Sequence, residues 1–578
     1  MDPEVTHKPA PLPKRWQIAM PIPTHVDREL AEFSPIMRQL LYNRGIETAL
    51  VARAFVEASS PYPTDPFYLK DMEKAVELLR QAIADGVQVA IYGDYDADGV
   101  TATALLYEFL NVVGSRPIPY IPNRFDEGYG LNMEAIDSLF AQGVSLVITV
   151  DCGVRSVKEI AHSREVGMRM IVTDHHLPGD EPLAADAVIN PKQAGDLYPE
   201  KNLAGVGLAY KLAQAYLQRY PCEQVDADRW LDLVAIGTVA DLALLSGENR
   251  MLVSRGLKQI RSSSRQGLFS MAQVCDLNLQ KTSAGNIGFI LGPRLNAAGR
   301  IDSAMAAFEL LTTQDFMQAG QLAQKLEVQN EHRQAMTQEI QSQAVEMALG
   351  RDPAAPIIFA ARPEFNEGVV GLAASRIVET FYRPAIIGHV DAHHTVASCR
   401  SIAEFNITHA LDQCADLLLR YGGHSAAAGF SVSNDKWELL QERLLRIARE
   451  AFEGVELIPE LQIDREILLD KLDAKYVPGI LEDLALLEPT GRGNPDALFC
   501  SRNLKVRSAR TVGADGAHLK MMLRAGNREY EAIAFRQGHW FKDMPGMVDI
   551  AYTFEVNEYM GNRKLQLRVR DLKPSPEG

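Results

Sequence analysis

The sequence predicts an α/β protein: a parallel sheet clad in helices, joined by one long helix to a smaller α/β domain and followed by a C-terminal OB-like β-barrel. Three observations carry this. Short β-branched apolar runs, Val87–Tyr92, Ser145–Val150 and Met168–Thr173, are each followed by a helical pattern, the order that builds a parallel sheet with helices on both faces. From Gln321 to Leu349 neither Gly nor Pro interrupts the chain, which reads as one helix about 43 Å long at 1.5 Å per residue. From Arg502 onward, apolar and polar residues alternate between Gly-containing breaks, the pattern of a small barrel.

In chain order, a Pro-rich start gives way to helical periodicity from about Asp27 to Asp85. The three strand-like runs follow. The long helix is too polar for a core element and reads as a strut between two domains. Beyond it come strand Pro356–Ala360, helix Gly368–Phe381, strands Ala385–Gly388 and Thr395–Cys399, helix Ala403–Arg420 and the triplet Gly422-Gly423-His424. The expected divisions are 1–85, 86–320, 321–350, 351–455 and 456–578.

With 578 residues, 47% of them hydrophobic and 23% charged, the chain is long enough for three or four folded domains, and collagen-like or wholly disordered classes are excluded. Its longest apolar stretches, such as Val144–Val150 and Leu231–Leu245, are too short or interrupted for a membrane span. The N-terminus lacks the basic and apolar regions of a secretory signal, so a cytoplasmic address is expected. Six scattered cysteines with no CxxC pair suggest neither a disulfide framework nor a thiolate zinc site. A net charge of −16 argues against phosphate binding, but its distribution does not. From Thr490 to the end, 15 Lys and Arg face 10 Asp and Glu, so a tract of +5 hangs on a body of −21.

The sharpest motif is Gly93-Asp94-Tyr95-Asp96-Ala97-Asp98-Gly99, at the end of the first strand. Three carboxylates in five residues repel one another unless a cation compensates them. A calcium loop needs Glu at its twelfth position, and Leu105 stands there. The second strand ends in Asp151-Cys152-Gly153 and the third in Asp174-His175-His176. Carboxyl ends of parallel strands open into the ligand crevice of such sheets. Oxygen ligands mixed with imidazole suit Mn²⁺ or Mg²⁺, and two such ions would clamp the oxygens of a phosphoryl transfer. Asp241 closes an apolar helical run and could add a further carboxylate or simply end a helix. Asp391-Ala-His393-His394 imitates the third motif but falls between two short strands, where a polar hairpin turn is expected.

Asp94-Tyr-Asp-Ala-Asp-Gly99, Asp151-Cys-Gly153, Asp174-His-His176 and Gly422-Gly423-His424 resemble the motifs of the DHH/DHHA1 phosphoesterase superfamily. The domain order, the segment Gly292-Pro-Arg-Leu-Asn-Ala-Ala-Gly-Arg300 and the basic tail resemble its branch of single-stranded-DNA-specific 5′→3′ exonucleases, over roughly Tyr42 to Leu572. The resemblance implies that Asp96, Asp98, Asp151, His175 and Asp241 ligate two Mn²⁺ or Mg²⁺ ions, with Asp151 as the bridge. Asp94 and His176 would sit close by, His176 facing the scissile phosphate. Pyrophosphatase-like relatives carry His four positions before the first ligand, whereas Tyr92 stands there in this chain, a departure that favours the nuclease branch.

By the same resemblance, Arg124, Arg294, Arg300, Ser398 and Arg400 bind the substrate, including a 5′-terminal phosphate, and Gly422, Gly423 and His424 lie along its backbone. Arg suits bidentate phosphate capture, although any one of these could instead make a surface ion pair. In the tail, Tyr530, Phe535, Trp540, Tyr552, Phe554 and Tyr559 alternate with basic residues, so that a minority could stack on bases while the rest form core. The implied function is degradation of single-stranded DNA to 5′-mononucleotides in recombination and repair, by a monomer that meets a single-stranded-DNA-binding protein and helicases. A small-substrate phosphoesterase and a catalytically dead scaffold are the competing classes; the basic tail argues against the first and the full set of ligand residues against the second.

Overall fold

The computed structural model describes residues 12–124, 126–223, 225–472, 477–513, 515–559 and 562–576. The chain divides into two compact units, one of Ile22–Glu331 with Glu482–Asp496 and one of residues up to Pro21, His332–Leu481 and Ala497 onward. The first described strand, β1 (Arg15–Ile18), lies in the Pro-rich start, where its four residues were too few to register as a pattern; it pairs in parallel with Glu460–Ile463.

In the larger unit, four helices between Thr24 and Ala84 precede a five-stranded sheet. Ser34 and Thr48 cap two of them by accepting the backbone N–H of Met37 and Val51. The sheet holds β2 (Gln88–Tyr92), β3 (Ile118–Tyr120), β4 (Val144–Val150), β5 (Arg169–Thr173) and β6 (Ala187–Ile189), all parallel in the order β3-β2-β4-β5-β6. Strand order switches direction between β2 and β4, which opens a crevice at their carboxyl ends. The apolar run after Trp230 becomes helix Leu231–Ala240, buried along nearly its whole length, with Asp241 as its C-cap.

The long helix runs Phe316–Arg351, about 54 Å at 1.5 Å per residue, passing through both flanking glycines. A single Gly costs only about 1 kcal/mol within a helix, so Gly320 and Gly350 do not end it. Among the described residues, no helix is long and apolar enough to cross a membrane.

The smaller unit contains a mixed sheet of β7 (Ile358–Arg362), β8 (Ala385–Val390), β9 (His394–Arg400), β10 (Leu418–His424) and β11 (Ala427–Ser433), ordered β10-β11-β9-β8-β7 with only β7 and β8 parallel. The expected helix Ala403–Arg420 is replaced by a short helix, Ile407–Asp412, and then by edge strand β10. Pairing with β11 overrides the helical tendency of Leu417-Leu418-Leu419. The Asp391–His394 segment is the turn between β8 and β9, its Asp391 carboxylate accepting the N–H of His393 and His394.

The rest of the chain supplies β12 (Glu460–Ile463), β13 (Arg465–Glu466), β14 (Phe499–Val512), β15 (His518–Ala525), β16 (Arg528–Ala534), β17 (Met547–Tyr559) and β18 (Asn562–Pro574). Strands β14-β15-β16-β18-β17 pair in succession and β17 returns to β14, closing a five-stranded barrel. Irregularities in the pairing of β14 let one 14-residue strand bend around two neighbours. Tyr552 and Phe554 fill the barrel with Phe499, and the Tyr530 hydroxyl donates to Leu469 O, so these rings are structural. Phe535 is exposed, with the Arg568 guanidinium 5.5 Å from its ring. The side chain of Tyr559 lies outside the described residues.

The expected C-terminal division, 456–578, includes residues 482–496, which pack in the larger unit instead. Arg250, buried on helix Gly247–Arg261, holds them by donating to the carbonyls of Leu486, Leu487 and Pro489.

Candidate metal centre

Each of three neighbouring strands ends in a carboxylate or imidazole, and the local backbone explains how each is held. After β2, Asp96 is the N-cap of helix Ala97–Val112 and accepts the N–H of Asp98 and Gly99 through Oδ1. The same Ala97 amide end is fastened by Asn296, whose Oδ1 accepts Ala97 N–H at 2.7 Å from the Gly292–Arg300 segment. Asp98, in the first turn, is buried and receives two amides from the N-terminus of helix Gly205–Arg219, Gly205 N at 2.7 Å and Val206 N at 2.9 Å. After β4, Asp151 is buried with a left-handed backbone at φ +61°. Gly205 must lack a side chain, because a Cβ there would stand 2.6 Å from Asp151 Cβ.

After β5, Asp174 accepts Val154 N–H and His176 N–H and sits 2.8 Å from His176 Nδ1. It thereby fixes the ring rather than joining the cluster. His175 Nε2 lies 3.0 Å from Asp151 Oδ1 and 3.9 Å from Asp241 Oδ2. The shorter approach lacks hydrogen-bond geometry, so His175 Nε2 and Asp151 Oδ1 are both buried without a hydrogen-bond partner, as is Asp94 Oδ1. Buried polar atoms are otherwise nearly always paired. Three sets of ligand atoms each fall within 4.8 Å of one another: Asp94, Asp96 and Asp151; Asp98, His175 and Asp241; Asp151, His175 and His176. Two of the three share His175 and two share Asp151, which suits a pair of adjacent divalent cations bound by hard oxygen and imidazole donors.

The electrostatics agree. Burial, and then the charge of Asp96, pushes Asp94 up to about 8 and Asp241 up to about 7. Burial raises Asp98 and Asp151 well above the usual carboxylate range, with neighbouring carboxylates adding to it. Burial and then His176 lower His175 to about 3, leaving a neutral imidazole, the form that ligates metals. Burial disfavours the His176 cation, but the hydrogen bond and charge of Asp174 outweigh it and raise His176.

Of the expected substrate-binding residues in this unit, Arg124 lies with its guanidinium 5.1 Å from the Tyr95 ring, and the charge of Arg300 also acts on Tyr95. Arg294 is engaged by Glu327 of the long helix, through both Nε and Nη2, and by Ile290 O. Tyr92 is buried, its hydroxyl donating to Gly130 O. In the smaller unit, Ser398 and Arg400 share one face of β9. Across the sheet Ser398 pairs with Gly429 and that with Gly422, while Arg400 pairs with Ala427 and that with His424. Gly423 packs so tightly on β11 that a Cβ would meet Ala427 O at 2.4 Å. Arg400 is half-buried, donates to Cys399 O and pairs with no carboxylate among the described residues.

Four further residues support the site: Asp174 as the holder of His176, and Asn296, Tyr129 and Lys192. The Tyr129 hydroxyl is 3.3 Å from Asp151 O, and Lys192 Nζ donates to His175 O. Asn296 lies inside the Gly292–Arg300 segment; Tyr129 and Lys192 stand in stretches with no motif at all.

A model of the DHH family N-terminal domain matches residues 88–238, a DHHA1 domain model matches 354–454 and a RecJ OB domain model matches 463–571. The single-stranded-DNA-specific exonuclease RecJ of Bacillus subtilis (strain 168) is 36% identical over 567 residues, 97% of this chain and 71% of that protein. The RecJ of Escherichia coli (strain K12) is also 36% identical, over 94% of this chain and 96% of its own length. The crystal structure of RecJ from Thermus thermophilus in complex with Mn²⁺ superimposes with a TM-score of 0.83 at 31% identity, covering 97% of this chain and 79% of that one. Its complex with Mg²⁺ superimposes with a TM-score of 0.77 at 29% identity over the same shares.

Proposed function

The chain belongs to the RecJ family of single-stranded-DNA-specific exonucleases, and on that premise we propose that it hydrolyses single-stranded DNA from a 5′ end, using two Mn²⁺ or Mg²⁺ ions and releasing 5′-mononucleotides in recombination and repair. The observation that carries this reading is the convergence of three orphaned buried atoms, Asp94 Oδ1, Asp151 Oδ1 and His175 Nε2, among further carboxylates at the carboxyl ends of a parallel sheet. Crowded acids that cannot all ionise unaided fit a pair of divalent ions.

Asp96, Asp98, Asp151, His175 and Asp241 are the residues that would hold the ions, with Asp94 beside them. When bound, such ions make water a nucleophile near neutral pH and stabilise charge on the attacking and leaving oxygens. The chain does the positioning. The amides of Gly205 and Val206 aim Asp98 and offset part of the cost of ionising it where it is buried, and the N-cap bonds hold Asp96 in place. Asp174 holds His176 through Nδ1, which leaves its other ring nitrogen to donate to a phosphate oxygen. Arg400, a half-buried cation with no carboxylate partner among the described residues and with Ser398 beside it on β9, supports capture of the 5′-terminal phosphate. The exposed Phe535 beside Arg568 supports a stacking contact on the barrel.

The test is hydrolysis of 5′- and 3′-labelled single-stranded DNA, its duplex and an RNA equivalent with Mn²⁺, Mg²⁺ or chelator. Metal-dependent release of mononucleotides from the 5′ end of the single strand is expected. DNA that stays intact with every metal would remove the nuclease reading.

A further inference from the structure

Residues 482–496 return from the C-terminal half of the sequence to the catalytic unit, and the way they are fastened is unusually complete. Arg250, 1% exposed, donates to three of their carbonyls and to Phe55 O. Asn494, equally buried, donates to Leu487 O and Pro489 O and accepts from Arg44 Nε. Gly491 and Asn494 bond to each other through both backbone groups, which makes Arg492-Gly493 the tip of a tight turn with Gly493 at φ +78°. The turn docks on the stretch just after Asp241, Leu245 N–H donating to Arg492 O at 2.7 Å.

The tip thus presents one side chain. Arg492 is exposed, donates from Nη1 to Leu242 O at 3.2 Å, and so lies over the residue that follows Asp241; its charge acts on Asp241. Among the described residues it forms no ion pair. An arginine fixed by one nitrogen beside a metal-ligand carboxylate, with its other N–H groups open to solvent, has the geometry for gripping a phosphate. The other cation on this flank, Lys192, is already committed to His175 O. We propose that Arg492 is a substrate-binding residue of this active site, contacting a backbone phosphate of the single strand on the Asp241 side. The inference rests on the nuclease reading and adds to it a contact delivered by the returning segment.

The experiment compares wild type with Arg492→Ala, Arg492→Gln and Arg492→Lys on a 5′-phosphorylated single strand in Mn²⁺. Alongside it are measured the Mn²⁺ midpoint for activation and, with the full-length chain in chelator, the salt dependence of oligonucleotide binding. The expected result is a loss in kcat/KM of about 10- to 100-fold for Ala and Gln, with Lys partly restoring it and the Mn²⁺ midpoint unchanged, as for one charge-assisted contact of about 1.5–3 kcal/mol. The slope of log K against log salt should flatten by about 0.7, the share of one phosphate contact on a single strand. If wild type is active and the variants match it in rate and salt slope, the inference falls while the nuclease reading stands. A loss that tracks a shifted Mn²⁺ midpoint would also overturn it, since Arg492 would then act on Asp241 rather than on DNA. Should Arg492→Ala melt early, Arg492→Gln carries the comparison. An inert wild type overturns both readings together.

Discussion

Asp151 combines three costs in one residue: a left-handed backbone, burial, and an acceptor atom with no donor. Asn tolerates that backbone while Ala does not, so Asp151→Asn separates chemistry from folding. Activity should fall at least about 1000-fold, on the order of 4 kcal/mol of barrier. In chelator the Asn variant should melt no lower than wild type, because one repelling carboxylate is gone; a lower melting temperature would contradict the account of crowding. Burial, with the same crowding, sets a pH dependence. Asp94 and Asp241 ordinarily titrate near 3.8 but stand at about 8 and about 7 in the folded chain without metal. The folded state therefore holds protons that the unfolded state has released, and this contribution to stability, complete below about pH 4, is lost as pH rises through 7 and 8. In EDTA the melting temperature should fall between about pH 6 and 8.5, and the increase produced by Mn²⁺ should be larger at the upper end of that range than at the lower. A flat profile in EDTA would show that these carboxyls do not titrate together.

At the level of elements, the site is made by helix beginnings placed against strand ends. Two amides from the start of helix Gly205–Arg219 grip Asp98, and the first residue of that helix is also the floor under Asp151. Gly205→Ala puts a Cβ within 2.9 Å of Asp151 Oδ1. It should weaken Mn²⁺ binding at least about 10-fold and cut activity by a similar or larger factor, while circular dichroism stays at wild-type values; unchanged Mn²⁺ affinity in a titration would show that the contact yields easily. The elements bearing ligands were legible because β2, β4 and β5 are apolar runs of five to seven residues that end abruptly in charged motifs. The three-residue strands β3 and β6 were not, since so short a run carries no periodicity. Edge strand β10 was read as helix because its Leu-rich sequence favours helix locally, and only the partner strand decides otherwise.

Across the whole molecule, the returning segment 482–496 gives the catalytic unit its wall of Leu486–Pro489 around Arg250. Arg250→Met keeps apolar bulk over Phe55 but takes a charged donor from four carbonyls, of which Leu487 O and Pro489 O keep Asn494 and Phe55 O keeps the Ala58 N–H. A loss of about 3 kcal/mol is expected, from the buried hydrogen bonds of a charged donor that are removed. Urea unfolding monitored in the catalytic unit would measure it, and protease nicking within 482–496 should accelerate; resistance equal to wild type would mean the segment is held by other contacts. By itself the sequence determined the chemistry: which residues carry charge, their place at strand ends, the long helix and the alternating barrel strands, all properties of neighbours in the chain. Only the tertiary structure decided that Arg294 is spent on Glu327, that Asp174 serves His176, that Tyr552 and Phe554 are core, and that Arg492 reaches the Asp241 flank from 250 residues beyond Leu242. Those outcomes depend on which distant groups share a dry, crowded space, and pairing energies between residues hundreds of positions apart leave no local period to read.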